Sequence, residues 1–325
     1  MEIQASSGRA PSRGAIAASI AILIVVWAVN FIAGKIGIRA MPVLTLASFR
    51  VVLAGAVMIP IYLVCTRLPA FAEAANARRR GFNARDLWTF LYLGFFGVTV
   101  NQMCFTIGLR YTSVSHASVI VGMGPIYTLV LVVLFQLERA TWRKATGMGI
   151  ALAGVAVMAA DKGLSAHSSS LLGDAITMTG SIGFAVYVVL GKRVAGKYDT
   201  LTMTAFNHFA GALIVLPLAI RQARALGPAE NWRAIPGSGW TALLYMALFS
   251  SAMAYVFYFW LLRYLEASQL AAFSYLLPLL ATALGILWLG EKGSWGQVAG
   301  AALALGGVYW IEAGRATVAR DNTAA

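Results

Sequence analysis

Side chains that could bind a small molecule occur in the middle of long apolar stretches of this sequence. Trp27 and Asn30 are three residues apart, Asn101 and Gln102 are adjacent in a second stretch, and Arg50 interrupts a third. A polar group in an apolar environment is costly unless it faces a partner or a water-filled cavity. Because residues at i and i+3 share one helix face, we expect Trp27 and Asn30 to offer a ring and an amide to one ligand.

The ionisable candidates are Arg50, Asp174 and His208. An arginine inside a membrane costs at least about 2.5 kcal/mol, so we expect it to be paired, to reach the membrane surface or to be functional. The guanidinium of Arg50 suits a carboxylate or phosphate, or it ties its helix to a neighbouring one. No carboxylate lies deep within an apolar stretch, so Asp174 and His208 are the remaining candidates for proton coupling, and exchange or facilitated diffusion is equally compatible with the sequence.

These residues belong to a unit that the sequence contains twice. Leu109-Arg110-Tyr111 and Glu138 return as Leu262-Arg263-Tyr264 and Glu291, since 263 − 110 and 291 − 138 both give 153. A constant spacing that includes rare residue types indicates an internal duplication. The repeated Glu138 and Glu291 stand near predicted helix ends, where we expect them to cap helices or to form ion pairs.

The duplication also covers the early part of each copy, at a slightly different spacing. Lys35 returns as Lys192, and 192 − 35 gives 157. The small difference between the two spacings requires only one loop of altered length. At this spacing Trp27 corresponds to Phe184, Asn30 to Tyr187 and Arg50 to Asn207. Both copies therefore carry an aromatic ring close to a hydrogen-bonding group.

Composition indicates what kind of unit was duplicated. Hydrophobic residues make up 60% of the chain and charged residues 11%, whereas a soluble domain has roughly 45–50% and about 25%. Because about 20 apolar residues cross a bilayer as a helix, we predict ten spanning helices from the apolar stretches. These stretches are 14–34, 40–66, 87–109, 111–137, 145–160, 175–191, 200–220, 235–262, 267–290 and 293–311.

The positions of lysine and arginine predict the orientation. With the N-terminus inside, 16 of the 25 Lys and Arg residues lie in inside segments and 8 in outside segments, while Arg50 lies within a stretch. The positive-inside rule then places both termini in the cytoplasm of a multi-pass cell-membrane protein, as in a bacterial inner membrane. The net charge of +13 is explained by topology and the lipid bilayer, so no nucleic-acid partner is expected.

The predicted organisation is an all-α polytopic membrane protein with ten transmembrane helices in two inverted five-helix repeats. Cytoplasmic tails are expected at 1–14 and 315–325, and the repeats at 15–162 and 163–314. Because five is odd, the second repeat enters the membrane from the opposite side. Secondary transporters commonly have inverted repeats, with the substrate site near the midplane between them.

The sequence also resembles a known family. Trp27-x-x-Asn30-Phe31-x-x-x-Lys35 is similar to the first-helix signature of EamA-type transporters in the drug/metabolite transporter superfamily, as are Gly108-Leu109-Arg110-Tyr111 and Leu289-Gly290-Glu291. The first copy departs from that pattern with Gln136-Leu137-Glu138, which keeps the glutamate. The resemblance covers residues 16–311 and implies a ten-helix exporter or exchanger of small metabolites, such as amino acids. It further implies a cavity lined by helices one, three, four, six, eight and nine.

Aromatic residues complete the candidate binding set. Each of them has the alternative role of packing in the protein interior or at the membrane surface. For Asn30 and Asn101 the alternative is a hydrogen bond between helices. The aromatic candidates that join Trp27 are Tyr127, Phe184, Tyr187, Tyr255, Tyr258 and Tyr275.

Two prolines occupy equivalent positions, Pro125 and Pro278. Each removes a backbone hydrogen bond in a predicted helix, which permits a kink. A hinge that moves and a fixed bend remain equal alternatives.

The sequence contains no phosphate-binding glycine loop, zinc-binding H-E-x-x-H pair or G-x-S-x-G elbow, so neither a cofactor, nor a metal, nor catalysis is expected. The predicted function is secondary transport of small metabolites, foremost export of amino acids or related amphipathic compounds. Exchange of anionic sugars or phosphorylated metabolites through Arg50 is the alternative, and an intramembrane enzyme is a weaker one. Small residues around Gly147 and Gly300 predict close helix packing, within a monomer or in a homodimer.

Overall fold

The computed structural model describes residues 11–69, 76, 84–112, 117, 120–139, 141–161, 171–277, 279–280, 283 and 295–321. These described residues form helices and turns, and they include no strand. The main helices are α1 (Arg13–Ala40), α2 (Val43–Cys65), α3 (Ala84–Leu93, Gly94–Val100 and Asn101–Tyr111), α4 (Gly124–Leu134), α5 (Trp142–Asp161), α6 (Leu171–Val194), α7 (Thr200–Leu226), α8 (Gly237–Tyr245, Met246–Met253 and Ala254–Tyr264), α9 (Ala267–Ala272, continued by Phe273–Tyr275) and α10 (Trp295–Asp321), and a short helix, Ala229–Arg233, follows α7.

Six of these helices are long and apolar enough to cross a membrane: α1, α2, α3, α6, α7 and α8. Shorter apolar helices cover Ile120–Leu134 and Val298–Ile311. The chain is therefore a multi-pass membrane protein by length and composition. The count of ten spans, the orientation and the boundaries of the two repeats remain predictions. Pro278 and Glu291 lie outside the described residues.

Local sequence determines where the long helices begin and end. Ser12 caps α1 by accepting a hydrogen bond from the backbone N–H of Ala15 at 3.1 Å. Asp199 caps α7 in the same way, with the N–H of Thr202 at 2.9 Å. Such caps satisfy N–H groups that have no partner within the first turn. Helix α7 ends at Gly227, whose φ of 74° is a conformation that glycine adopts without steric cost.

Equivalent helices of the two halves pack against each other in antiparallel pairs. Helix α2 meets α7, with Thr45 beside Gln222 near one end and Tyr62 beside Phe206 near the other. Helix α5 meets α10 through glycine: a Cβ on Gly154 would lie 2.5 Å from the Gly300 carbonyl oxygen. The small-residue faces therefore pack within the protomer, while dimerisation stays a prediction.

Two lysines make the same contact in the two halves. The Lys35 ammonium donates to the carbonyls of Leu109 at 2.9 Å and Thr112 at 3.2 Å. Lys192, its counterpart, donates to the carbonyls of Leu262 at 2.6 Å and Leu265 at 2.7 Å. The last carbonyls of a helix have no partner within the helix and carry a partial negative charge. Each lysine of a first helix thus caps the end of a third helix.

Candidate functional site

A cavity of about 90 Å³ lies at the centre of the bundle. This volume accommodates several water molecules. Its walls come from α1, α3, α4, α6, α8 and α9, together with α2, which contributes Arg50. The predicted residues that line it are Trp27, Asn30, Arg50, Asn101, Gln102, Phe184 and Tyr255.

Interlocked aromatic rings form one end of the cavity. The Trp27 ring lies 5.6 Å from that of Phe184 and 5.6 Å from that of Tyr258, and the Phe184 and Tyr258 rings are 5.2 Å apart. These two contacts of Phe184 are edge-to-face, a geometry that stabilises rings beyond their burial. The Trp27 indole N–H donates to the Ser250 carbonyl at 3.2 Å, which fixes its orientation. We call Trp27, Phe184 and Tyr255, which line the cavity, together with Tyr258, which packs against the first two outside the lining, the aromatic floor.

Arg50 brings a positive charge to the wall. Its side chain is 4% exposed; Nε donates to the Ser251 hydroxyl at 2.9 Å, and Nη1 lies 3.5 Å from the Thr106 hydroxyl. Ser251 in turn donates to Gln102 Oε1 at 2.8 Å. Among the described residues no carboxylate pairs with Arg50. A buried charge held only by neutral groups leaves room for an anionic ligand.

The π-helical segment Met246–Met253 makes this arrangement possible. Its equivalent in the first repeat, Gly94–Val100, is also π-helical, and π-helical turns are frequent at functional sites. The Ser251 hydroxyl lies 2.8 Å from the Met246 carbonyl, five residues earlier. This contact holds Ser251 beside the Arg50 guanidinium.

Asn101 both lines the cavity and ties helices together. Its Nδ2 donates to the Gly180 carbonyl of α6 at 3.1 Å, and its Oδ1 lies 2.9 Å from the Tyr255 hydroxyl. That hydroxyl is also 2.8 Å from the Gly97 carbonyl. Asn101 therefore does both of the things expected of it: it lines the cavity, and its amide joins α3, α6 and α8 by hydrogen bonds.

Asn30 differs from Asn101 in its hydrogen bonding. It lines the cavity and is 6% exposed. Its Oδ1 has no hydrogen-bond partner among the described residues. Buried polar atoms are nearly always satisfied, so an unpaired acceptor facing a cavity is suited to a ligand that donates a hydrogen bond.

Besides the candidate coupling groups, five other predicted residues that the structure describes lie away from the lining. The Tyr127 hydroxyl contacts the Met123 sulfur at 3.6 Å, and Tyr187 packs its ring where a Cβ on Gly97 would be. Tyr275 is buried in the cluster that α9 shares with α5 and α10. The Tyr258 ring packs 5.6 Å from the Trp27 ring. Pro125 lies in the first turn of α4.

The two candidate coupling groups are also outside the lining. His208 is fully buried, its Nδ1 is 2.9 Å from the Thr204 carbonyl oxygen, and its ring is 4.9 Å from that of Tyr255. His208 thus packs against Tyr255, a residue of the cavity wall, without lining the cavity itself. Asp174 accepts a hydrogen bond from the Thr112 hydroxyl and joins the start of α6 to the end of α3.

Sequence reasoning missed several small residues of the cavity wall. Small residue types are also common at helix–helix contacts, so residue type alone did not identify these residues as part of the cavity wall. In the sequence, only their position within the same apolar stretches as the predicted residues indicated that they could line the cavity. These small lining residues are Gly124, Thr128, Thr177, Gly180, Ser181, Ser250, Ala271 and Ser274.

Comparison with known proteins gives consistent results. The model of the EamA-like transporter family matches residues 13–160 and again residues 171–313. An "Uncharacterized transporter" of Archaeoglobus fulgidus is 27% identical over 292 residues, covering 90% of this chain and 96% of the relative. The "Probable terminal-alkyne amino-acid exporter" of Streptantibioticus cattleyicolor is 25% identical over 306 residues, covering 94% and 95%.

A protein of known crystal structure has a similar fold. The two superpose with a TM-score of 0.68 at 19% sequence identity, and the match covers 92% of this chain and 96% of the other. At this identity the likeness shows the fold alone.

Proposed function

Because this chain belongs to the EamA-like transporter family, we propose that it is a secondary transporter that exports amino acids or related small amphipathic metabolites across the cell membrane. It works by alternating access between two inverted five-helix repeats and carries out no catalysis. The antiparallel packing of α2 with α7 and of α5 with α10 supports the inverted arrangement, in which the substrate site lies at the seam.

The observation that carries the proposal is the position of Arg50. It is the one cation among the described residues of the cavity wall, and it binds neutral hydroxyls. A substrate carboxylate would compensate its charge through two parallel hydrogen bonds. Arg50 therefore selects for an anionic group on the substrate.

The rest of the wall suits an amino acid. The unpaired Oδ1 of Asn30 can accept a hydrogen bond from a substrate ammonium group, and the aromatic floor offers an apolar surface for its side chain. Cationic groups also bind favourably to aromatic faces. The similarity to a relative named as a probable amino-acid exporter supports this substrate class and the direction of transport.

Exchange of phosphorylated metabolites is the second candidate, because Arg50 also suits phosphate. A phosphate carries close to two negative charges at neutral pH, whereas the described cavity wall supplies one positive side chain. This charge balance favours a monocarboxylate. No second cation is on the described wall to balance a dianion.

Counterflow in proteoliposomes tests the proposal. Vesicles loaded with unlabelled amino acids should accumulate labelled amino acid, whereas those loaded with the corresponding decarboxylated amines or sugar phosphates should not. Parallel measurements with and without a pH gradient determine whether protons are coupled. Counterflow driven by sugar phosphates but not by amino acids would reverse the assignment.

Substitution of single residues tests the site itself. Asn30→Ala and Asn101→Ala should each reduce flux while the purified protein keeps a single peak in size-exclusion chromatography. Undiminished flux in both variants would contradict the site assignment.

A further inference from the structure

A cluster of charged residues joins the two repeats where α4 ends and α9 begins. Glu138, just beyond α4, accepts hydrogen bonds from the N–H groups of Ala267 at 2.8 Å and Ser268 at 3.3 Å, and from the Ser268 hydroxyl. Lys144 of α5 lies 2.9 Å from Glu138 and 2.8 Å from Glu266. We call Glu138, Lys144, Glu266 and Ser268 the latch.

The latch is a helix cap supplied from another part of the chain. The first N–H groups of a helix lack partners within it, and a carboxylate at this end is stabilised by the helix dipole. A capping group normally comes from the residue just before its helix, whereas Glu138 belongs to the first repeat and α9 to the second. Since the Glu138 side chain is only 6% exposed, separating it from α9 would leave a carboxylate and two N–H groups without these partners.

Buried residues connect the aromatic floor to the latch. Tyr258 of that floor belongs to the same cluster of buried residues as Ala267, whose N–H donates to Glu138. None of the latch residues lines the cavity. Between the floor and the latch, the helices pack through buried apolar residues that include Val132, Val189, Leu262 and Leu270.

We propose that the latch holds this end of the cavity shut, and that a ligand passes this end only after Glu138 separates from α9. The inference rests on the alternating access proposed above, because a cavity that opens to each side in turn requires contacts that break on each side in turn. Lys144 stabilises the closed state, since it offsets the charge of Glu138 and also binds Glu266.

Distance measurement between two spin labels tests the latch without any substrate. Labels are attached through Gln136→Cys beside the end of α4 and Tyr264→Cys beside the start of α9, with Cys65 and Cys104 replaced by serine. In nanodiscs the unmodified latch should give one dominant short distance. Glu138→Gln should add a longer distance and raise the ratio of open to closed molecules at least about tenfold, because hydrogen bonds to a charged group are lost.

Lys144→Gln and Ser268→Ala should each give a smaller rise, and they serve where Glu138→Gln does not fold. Glu230→Gln, an exposed carboxylate on the short helix Ala229–Arg233, is the matched control and should leave the distances unchanged. If the folded latch variants keep the short distance alone, the proposal is wrong. Since no substrate is added, that result would leave the amino-acid assignment untouched, and a failed counterflow assay would leave the latch untouched.

Discussion

Arg50 brings a fixed charge to the cavity wall, and the first prediction concerns its substitution. Arg50→Gln should raise the KM for a carboxylate substrate about tenfold to a hundredfold, because a hydrogen bond to a charged group contributes about 1.5–3 kcal/mol. Arg50→Lys should recover part of this loss, since lysine keeps the charge but not the planar pair of donors. Initial transport rates in proteoliposomes measure both, with the exposed Arg221→Gln as the control. An unchanged KM for Arg50→Gln would show that the arginine has only a structural role.

The next prediction tests whether Asn30 binds an amino group of the substrate. Asn30→Leu keeps a similar volume but removes the unpaired acceptor, so we expect the KM for an amino acid to rise about tenfold. Competition by the analogue that lacks the amino group should be unaffected. An equal loss for both compounds would indicate that Asn30 shapes the cavity without contacting the ammonium group.

Residue-level prediction from sequence succeeded where the helix was regular. The spacing of Trp27 and Asn30 on α1 correctly predicts that both face one cavity. On α8 the sequence places Ser251, Tyr255 and Tyr258 in one stripe, but only Tyr255 lines the cavity. Ser251 lies within the π-helical segment Met246–Met253 and binds the Arg50 side chain of α2. Residue spacing records neither feature, so it does not separate the three residues.

At the scale of helices, the contact between α5 and α10 depends on the absence of side chains. A Cβ on Gly154 would lie 2.4 Å from the backbone nitrogen of Ala304, and backbone atoms cannot move aside locally. Gly154→Ala should therefore lower the thermal midpoint by several degrees, corresponding to about 1–3 kcal/mol of overpacking. Gly149→Ala is the matched control on the same helix, because its Cβ would have no neighbour within 4 Å. Equal midpoints for the two variants would contradict this packing.

The duplication predicts which residues are equivalent in the two halves, but not the contacts that they make. Equal spacing paired Lys35 with Lys192, and the structure gives them the same capping contact. The expectation that Glu138 caps a helix is also confirmed by its hydrogen bonds to Ala267 and Ser268. Which helix it caps was not predictable, because nothing in the sequence records that the capped turn lies 129 residues further along the chain.

At the scale of the whole molecule, the Glu138 carboxylate of the latch makes the stability of the protein depend on pH. Burial alone would raise the pKa of Glu138, but hydrogen bonds from Ser268 and Lys144 outweigh it and lower this pKa below its usual 4.5. A lowered pKa in the folded state stabilises the protein above pH 4.5, and the gain is lost as the pH falls below that value. The other charged groups at the latch are Lys144 and Glu266, which bind each other.

The thermal midpoint in detergent should therefore fall between pH 5 and pH 3 more steeply for the wild type than for Glu138→Gln. Both proteins carry the same remaining carboxylates, so the difference between the two curves isolates Glu138. Parallel curves would mean that the carboxylate gains nothing from its partners in the folded protein.

The glycine contact between α5 and α10 joins a surface to its own inverted copy. Gly147 and Gly154 of one helix meet Gly307 and Gly300 of the other, so matching positions face each other in reverse order. A surface of this kind is self-complementary, as in a two-fold symmetric dimer. An ancestral chain of a single repeat, inserted into the membrane in both orientations, would have possessed this interface before any gene fusion joined the halves.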